Sequence, residues 1–184
     1  MPGRRQQQRV CFVTGSTGFV GLNLVARLLA EGWCVHALTR DTASSAAKRL
    51  ASLAAAASAA EGSKLVLVEG ELGARSGAEL AVPEGTEVVF HLVLLRESFS
   101  DSPDAARRVA AGGLVEHGWV PETGDEHVRI NLEAAEQVLA ACARQKVRRV
   151  VFCSSWSAYG FQPPGTVVDE ATPSLATAPL SRCG

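Results

Sequence analysis

A glycine-rich segment near the start of the chain constrains its fold more than any other feature. Gly15, Gly18 and Gly21 recur at a spacing of three residues between an apolar run, Val10–Thr14, and a segment with helical periodicity. In a strand–turn–helix unit the first glycine permits a sharp turn, the second lets a ligand approach the backbone, and the third lets the helix lie close to the strand. The N–H groups at the helix start then favour a bound diphosphate. The segment predicts a dinucleotide-binding turn, and not a nucleoside-triphosphatase loop, since no Gly-Lys-Ser/Thr follows.

Further apolar runs follow the glycine turn, and they alternate with helical or irregular segments. The predicted strands are residues 10–14, 34–38, 65–68, 88–92 and 150–153. The predicted helices are residues 22–31, an alanine-rich stretch at 43–60 with a thin stripe of Leu50 and Leu53, and a segment around residues 128–142. This alternation is typical of a parallel sheet with helices on its faces. We predict a three-layer α/β fold, a doubly wound parallel sheet of the Rossmann type with strand order 3-2-1-4-5, truncated before the end of the sheet.

The composition is that of a soluble globular protein. The 184 residues include 18 basic and 19 acidic side chains, and the formal net charge of -1 argues against nucleic-acid binding. No apolar run is long enough to span a membrane, and no signal-peptide core follows the basic first residues, so we expect a cytoplasmic protein. Its five cysteines are then expected to be reduced thiols. Because none of them forms a Cys-x-x-Cys pair, no metal site is predicted.

The domain boundaries follow from where this pattern weakens. Residues 9–160 are predicted to form the nucleotide-binding domain, with an irregular excursion at 94–125 that shows no sustained period. Residues 161–184 are rich in Pro, Thr and Ala and are expected to form an irregular tail. We expect no substrate-binding lobe within these residues.

The motifs along the chain resemble those of the extended short-chain dehydrogenases/reductases, the NAD-dependent epimerase/dehydratase family. That family includes sugar-nucleotide epimerases, 3β-hydroxysteroid dehydrogenases, and dihydroflavonol and cinnamoyl-CoA reductases. Residues 14–21 are similar to its nucleotide-binding signature, and the similarity continues at residues 70–72, 90–92, 131, 149–155, 158–160 and 169–173. The resemblance covers most of residues 10–173 except the irregular excursion. Residues 39–41 resemble the dihydroflavonol-reductase-like members most.

The resemblance implies a nicotinamide dinucleotide that lies against the glycine turn, the helix start and the loops after the next strands. Glu71 would meet the adenine, where the family usually has Asp, and Leu72 would pack on its ring. Val93 is bulkier than the small residue that the family prefers beside the cofactor. The predicted cofactor-binding residues are Gly15, Thr17, Gly18, Phe19, Val20, Gly21, Arg40, Glu71, Leu72, Leu92 and Val93.

The residues after the second strand predict which dinucleotide is bound. A carboxylate there would accept hydrogen bonds from the ribose hydroxyls of NAD and repel a 2′-phosphate. This chain has Thr39 and Arg40 at that place, and a guanidinium group pairs well with a phosphate. We therefore predict NADP in preference to NAD.

The catalytic residues that the resemblance implies are only partly found. Ser155, four residues before Tyr159, matches the serine of similar enzymes, and a helix-cap serine is the alternative. The family's Tyr-x-x-x-Lys pair is not found, because Tyr159 is the only tyrosine and Pro163 stands four residues after it. His91 is expected to be structural.

The sequence therefore predicts an NADP-dependent oxidoreductase that acts on a carbonyl or hydroxyl group of a small molecule, here as a catalytically incomplete N-terminal portion. Two alternatives stay open. Residues 158–160 and 169–170 favour a sugar-nucleotide epimerase/dehydratase or a protein similar to 3β-hydroxysteroid dehydrogenases. A non-catalytic dinucleotide-binding module or an inactive fragment is an alternative of another class. For the complete protein, a homodimer is a further open alternative.

Overall fold

The structure is a computed structural model that describes residues 8–57, 60–73, 79–93, 124–160 and 162–174. The chain divides into two compact units, residues 1–94 with 132–153 and residues 95–131 with 154–184. The first unit contains the sheet. The described part of the second unit contains the start of a long helix and the segment that follows the last strand. Residues 94–123 of the predicted irregular excursion lie outside the described residues, as do residues 161 and 175–184 of the predicted tail.

The sheet has five parallel strands in the order β3-β2-β1-β4-β5, so the predicted fold class and strand order are confirmed. Its strands are β1 Val10–Thr14, β2 Cys34–Thr39, β3 Lys64–Glu69, β4 Val88–His91 and β5 Arg149–Phe152. The central strand is β1, since Val13 pairs with Ala37 of β2 on one side and with Phe90 of β4 on the other. The carboxyl ends of β1, β2 and β4 therefore meet at one edge of the sheet, where ligands bind in open α/β sheets.

Three helices are described, α1 Phe19–Ala30, α2 Ser45–Ala57 and α3 Gly124–Arg144, and a short 3₁₀ turn covers Trp156–Tyr159. Each helix buries one stripe of small or aliphatic side chains at helical spacing, as amphipathic helices do. The buried residues are Val25, Leu28 and Leu29 of α1, Ala47, Leu50 and Ala54 of α2, and Ala134, Val138, Ala141 and Cys142 of α3.

One hydrophobic core joins α1 and α2 to one face of the sheet. It includes Cys11 and Val13 of β1 with Val35 and Ala37 of β2, which alternate along their strands and so point to the same face. Phe12 points to the other face and is also fully buried. The central strand is thus covered on both sides, as expected for a parallel sheet.

The helix starts differ most from the sequence prediction. The predicted helix at 22–31 begins three residues earlier, at Phe19, because Gly18 has extended backbone (φ -77, ψ 172) and acts as the N-cap. At the other end α1 stops at Ala30, one residue before the predicted end, and Gly32 with a φ of +82 follows its last turn. The N–H groups of Gly32 and Trp33 there donate to carbonyls of that turn.

Candidate cofactor site

The first glycine of the turn is required by both conformation and space. Gly15 has a φ of +70, a region that side-chain-bearing residues rarely adopt. A Cβ at this position would lie 3.0 Å from the carbonyl carbon of Leu92 and 3.1 Å from the nitrogen of Val93. The backbone that leaves β4 therefore runs directly against the turn, and two of the predicted cofactor-binding residues lie beside the first glycine.

The other two glycines bring α1 down onto the turn. The N–H of Gly18 donates to the carbonyl oxygen of Gly15 at 3.1 Å, which closes the turn. A Cβ on Gly21 would collide with that same carbonyl oxygen and lie 2.7 Å from the Cα of Ser16. Any side chain at position 21 would force the helix away from the strand. The spacing of three thus has the packing role that the sequence predicted.

The start of α1 is suited to an anion. No side chain caps the helix, and no acidic residue lies in its first turn. The N–H groups at such a start keep hydrogen-bonding capacity, and the helix dipole makes them electropositive. The side chains of Phe19 and Val20 are 86% and 54% exposed, and Thr17 is half-buried. The glycine turn lets a ligand approach the backbone closely, and the helix start behind it has free N–H groups. Together they fit the diphosphate of a dinucleotide.

The end of β2 presents an exposed cation. Arg40 is exposed and forms no ion pair with any other described residue. The carboxylate of Asp41 accepts the N–H of Ala43 at 2.7 Å, so it is used by the loop that leads into α2. The carboxylate of Glu69 accepts the hydroxyl of Thr42 at 3.0 Å. The two nearest acids in sequence and register are therefore engaged in loop hydrogen bonds.

The loop after β3 carries the last two predicted cofactor contacts. Glu71 is exposed, whereas Leu72 is buried at 6% exposure. The N–H of the next residue, Gly73, donates to the side-chain oxygen of Gln137 on α3 at 3.0 Å. This loop is thereby anchored, with one polar and one apolar side chain next to the carboxyl end of β3.

Two polar pairs at this edge were not found by the sequence analysis as site features. The buried hydroxyl of Ser16 donates to the carbonyl of Leu38 on β2 at 2.8 Å. The hydroxyl of Thr14 and Nδ1 of His91 share a second buried hydrogen bond of 2.8 Å. In the sequence, each of these pairs is visible only as a small or polar residue near the end of an apolar run. Such a residue does not by itself identify its hydrogen-bond partner.

His91 is structural here, as expected. Its side chain is 2% exposed, and its ring lies 5.1 Å from that of Phe152 on β5, tilted by 43°. Burial lowers the pKa of His91 below its usual value of 6.5, which favours the neutral form of the ring. A buried ring with these contacts packs the sheet edge.

Ser155 lies in the second unit, directly after β5. It is half-buried, and its backbone carbonyl accepts the N–H of Ala158 at 3.0 Å at the start of the 3₁₀ turn. Tyr159 ends that turn, and its carbonyl accepts a hydrogen bond from the side chain of Gln162. The helix-turn position of Ser155 is compatible with both roles that the sequence left open.

None of the helices in the described part of the chain combines the length and apolar character needed to cross a membrane. Within those same ranges, no three His, Cys, Asp or Glu side chains come together as a metal site would require.

The fold and this edge are those of the doubly wound α/β proteins, in which ligands bind at the carboxyl ends of the strands. The family model described as NAD dependent epimerase/dehydratase matches residues 11–184, and the chain belongs to this family of extended short-chain dehydrogenases/reductases. The predicted resemblance is confirmed.

Similar proteins include plant reductases. Dihydroflavonol 4-reductase of Dianthus caryophyllus is 29% identical over 167 residues, which are 91% of this chain and 37% of that protein. Cinnamoyl-CoA reductase 1 of Oryza sativa subsp. japonica is 31% identical over 171 residues, 90% of this chain and 40% of that one. The chain thus spans about two fifths of the length of these relatives.

Solved structures share the fold. The UDP-glucose-4-epimerase of Stenotrophomonas maltophila, solved with bound NAD, superposes with a TM-score of 0.63 at 20% identity. The match covers 96% of this chain and 45% of that one. At this identity the likeness concerns the fold alone.

Proposed function

We propose that the chain is the cofactor-binding portion of an NADP-dependent oxidoreductase that acts on a carbonyl or hydroxyl group of a small molecule. The observation that carries this proposal is the glycine turn. Added side-chain atoms at Gly15 and Gly21 would collide with backbone there, at the start of a helix that no side chain caps. Membership of the NAD-dependent epimerase/dehydratase family supports it. The bound dinucleotide would supply hydride transfer.

In this proposal the chain's own residues bind the dinucleotide and orient the substrate. Gly15, Gly18 and Gly21, with the N–H groups of Phe19 and Val20, hold the diphosphate. Glu71 and Leu72 contact the adenosine. Leu92 and Val93 contact the dinucleotide beside the glycine turn, and Thr17 contacts it from the turn itself. Ser155 is retained as the predicted catalytic serine, whose hydroxyl would donate a hydrogen bond to a substrate carbonyl.

The preference for NADP rests on Arg40. Its guanidinium group is exposed, while the carboxylates of Asp41 and Glu69 are occupied by loop hydrogen bonds. A free guanidinium next to the adenosine ribose pairs with a 2′-phosphate in a charge-assisted hydrogen bond. An NAD site has a carboxylate for the ribose hydroxyls at this place, and this chain has Arg40 there instead.

The test is Arg40→Ala. We expect this variant to lose about 1.5–3 kcal/mol of NADPH binding free energy, the size of a hydrogen bond to a charged group, and to bind NADH almost as the parent does. The control is Arg27→Ala, which removes the same charge from the far end of α1, where Arg27 pairs with Glu31. Titration calorimetry with both dinucleotides measures the effect. Equal losses for NADPH and NADH would contradict a contact between Arg40 and the 2′-phosphate.

A further inference from the structure

The paired register of β2 with β1 ends before its register with β3 does. Between β1 and β2 the register ends at Val13 with Ala37. On the other side, β2 stays paired with β3 as far as Thr39 with Glu69, and the N–H of Gly70 donates to the carbonyl of Thr39 at 2.9 Å. Leu38 and Thr39, which lead to Arg40, thus lie beyond the last paired residue on the β1 side.

A side chain makes a contact with β2 beyond this last pair. Ser16, which lies between Gly15 and Thr17, is fully buried and donates its hydroxyl to the carbonyl of Leu38 at 2.8 Å. Leu38 is itself buried at 6% exposure. In such dry surroundings a hydrogen bond is stronger than at the surface, and an unmade one is costly. The hydroxyl therefore links the turn to β2 just beyond the point where the strands separate.

Ser16 is also held from the helix side. Its Cα is the atom that a Cβ on Gly21 would approach to 2.7 Å, so α1 lies directly against it. The residue is enclosed by the helix start on one side and by β2 on the other. A small side chain with one hydroxyl fits this place, and its hydrogen bond ties the turn to β2.

We propose that Ser16 is a positioning residue that sets the spacing between the two halves of the dinucleotide site. One half is the glycine turn for the diphosphate, and the other is the end of β2 with Arg40 for the adenosine ribose. The inference rests on the proposed function. A ligand that bridges both halves gains affinity from their fixed spacing, as linked binding modules do, whereas a ligand that fills one half does not.

The experiment compares a bridging ligand with a single-site ligand in Ser16→Ala. NADPH occupies both halves, and adenosine 2′-monophosphate occupies only the end of β2. We expect NADPH affinity to fall about five- to tenfold, the equivalent of one neutral hydrogen bond, and the affinity for adenosine 2′-monophosphate to change less than about twofold. The ratio of the two affinities within one variant does not depend on the fraction of protein that is folded.

Ser63→Ala is the matched control. Its hydroxyl is buried but has no hydrogen-bond partner among the described residues, so the same truncation there should leave both affinities unchanged. Equal losses of NADPH and fragment affinity in Ser16→Ala, no loss of either, or the same loss in Ser63→Ala would each overturn the proposal for Ser16. If the parent chain binds NADH more tightly than NADPH, NADH serves as the bridging ligand and adenosine as the single-site ligand. A folded parent that binds neither dinucleotide contradicts the proposed function, and the inference with it.

Discussion

At the residue scale, Thr14 and His91 show how polar side chains are accommodated where two buried strands end. Both are almost fully buried, and each satisfies the other through one hydrogen bond of 2.8 Å. The backbone of His91 also pairs with the next strand, since its carbonyl accepts the N–H of Cys153 at 2.9 Å. Protonation of the imidazole would place a charge in a buried position where none of these contacts offers a carboxylate, which is unfavourable.

This burial predicts a pH dependence of stability. Burial lowers the pKa of His91, whereas the unfolded chain keeps the usual value of 6.5. As the pH falls below about 6.5, the unfolded state binds the proton first, so the free energy of unfolding decreases. Burial and the nearby Lys64 lower the pKa of His36, which adds a second contribution of the same sign.

The measurement is urea unfolding at pH 7.5 and pH 5.5 for the parent and for His91→Asn, which retains a polar group near the Nδ1 position. We expect the parent to lose stability between the two pH values and His91→Asn to lose less. His36→Asn serves as a comparison, because it removes only the contribution of His36 to the pH dependence of stability. An identical pH dependence of stability in the parent and in His91→Asn would show that the pKa of His91 is the same in the folded and the unfolded chain.

At the element scale, α2 has little apolar surface with which to bind the sheet. It is largely alanine, yet Leu50 is fully buried in the core shared with α1, while Leu53 is only half-buried. Ala47 and Ala54 extend the same stripe one turn on either side. The attachment of this helix therefore depends mainly on one leucine.

We expect Leu50→Ala to lower the free energy of unfolding by about 2–4 kcal/mol, as for other buried leucines, because the surrounding alanines cannot fill the space. Leu53→Ala is the matched control on the next turn and should cost less than about 1 kcal/mol, since its side chain stays partly in water. Denaturant unfolding of both variants measures the difference. Similar losses for the two would contradict the packing of α2 described above.

The sheet could be predicted almost completely from the sequence, because Val10–Thr14 followed by three spaced glycines has few other uses in an alternating α/β pattern. The start of α1 could not, for a physical reason. α1 has a glycine N-cap without a side-chain hydrogen bond, so the usual Ser, Thr or Asp signal is missing. The bond from Ser16 to Leu38 depends on the register of β1 against β2, which the sequence pattern leaves open.

At the scale of the whole molecule, the predicted cofactor-binding residues all fall within residues 1–94 of the first unit, and Ser155 falls in the second. Four strand ends supply them: the turn after β1, Arg40 after β2, Glu71 and Leu72 after β3, and Leu92 and Val93 after β4. The chain also spans about two fifths of the length of its reductase relatives. The property that these residues define most directly is therefore cofactor binding.

Titration of the folded chain with NADPH and NADH tests this claim most directly, with Gly21→Ala as the diagnostic variant. Gly85→Ala is the control, since Gly85 has a φ of +76 but open space around it, so a methyl group there strains the backbone without moving α1. We predict that the parent and Gly85→Ala bind NADPH, and that Gly21→Ala folds less stably and loses binding because its methyl group forces α1 away from the Gly15 carbonyl. A folded parent that binds neither dinucleotide, or a Gly21→Ala variant with unchanged affinity, would contradict the account.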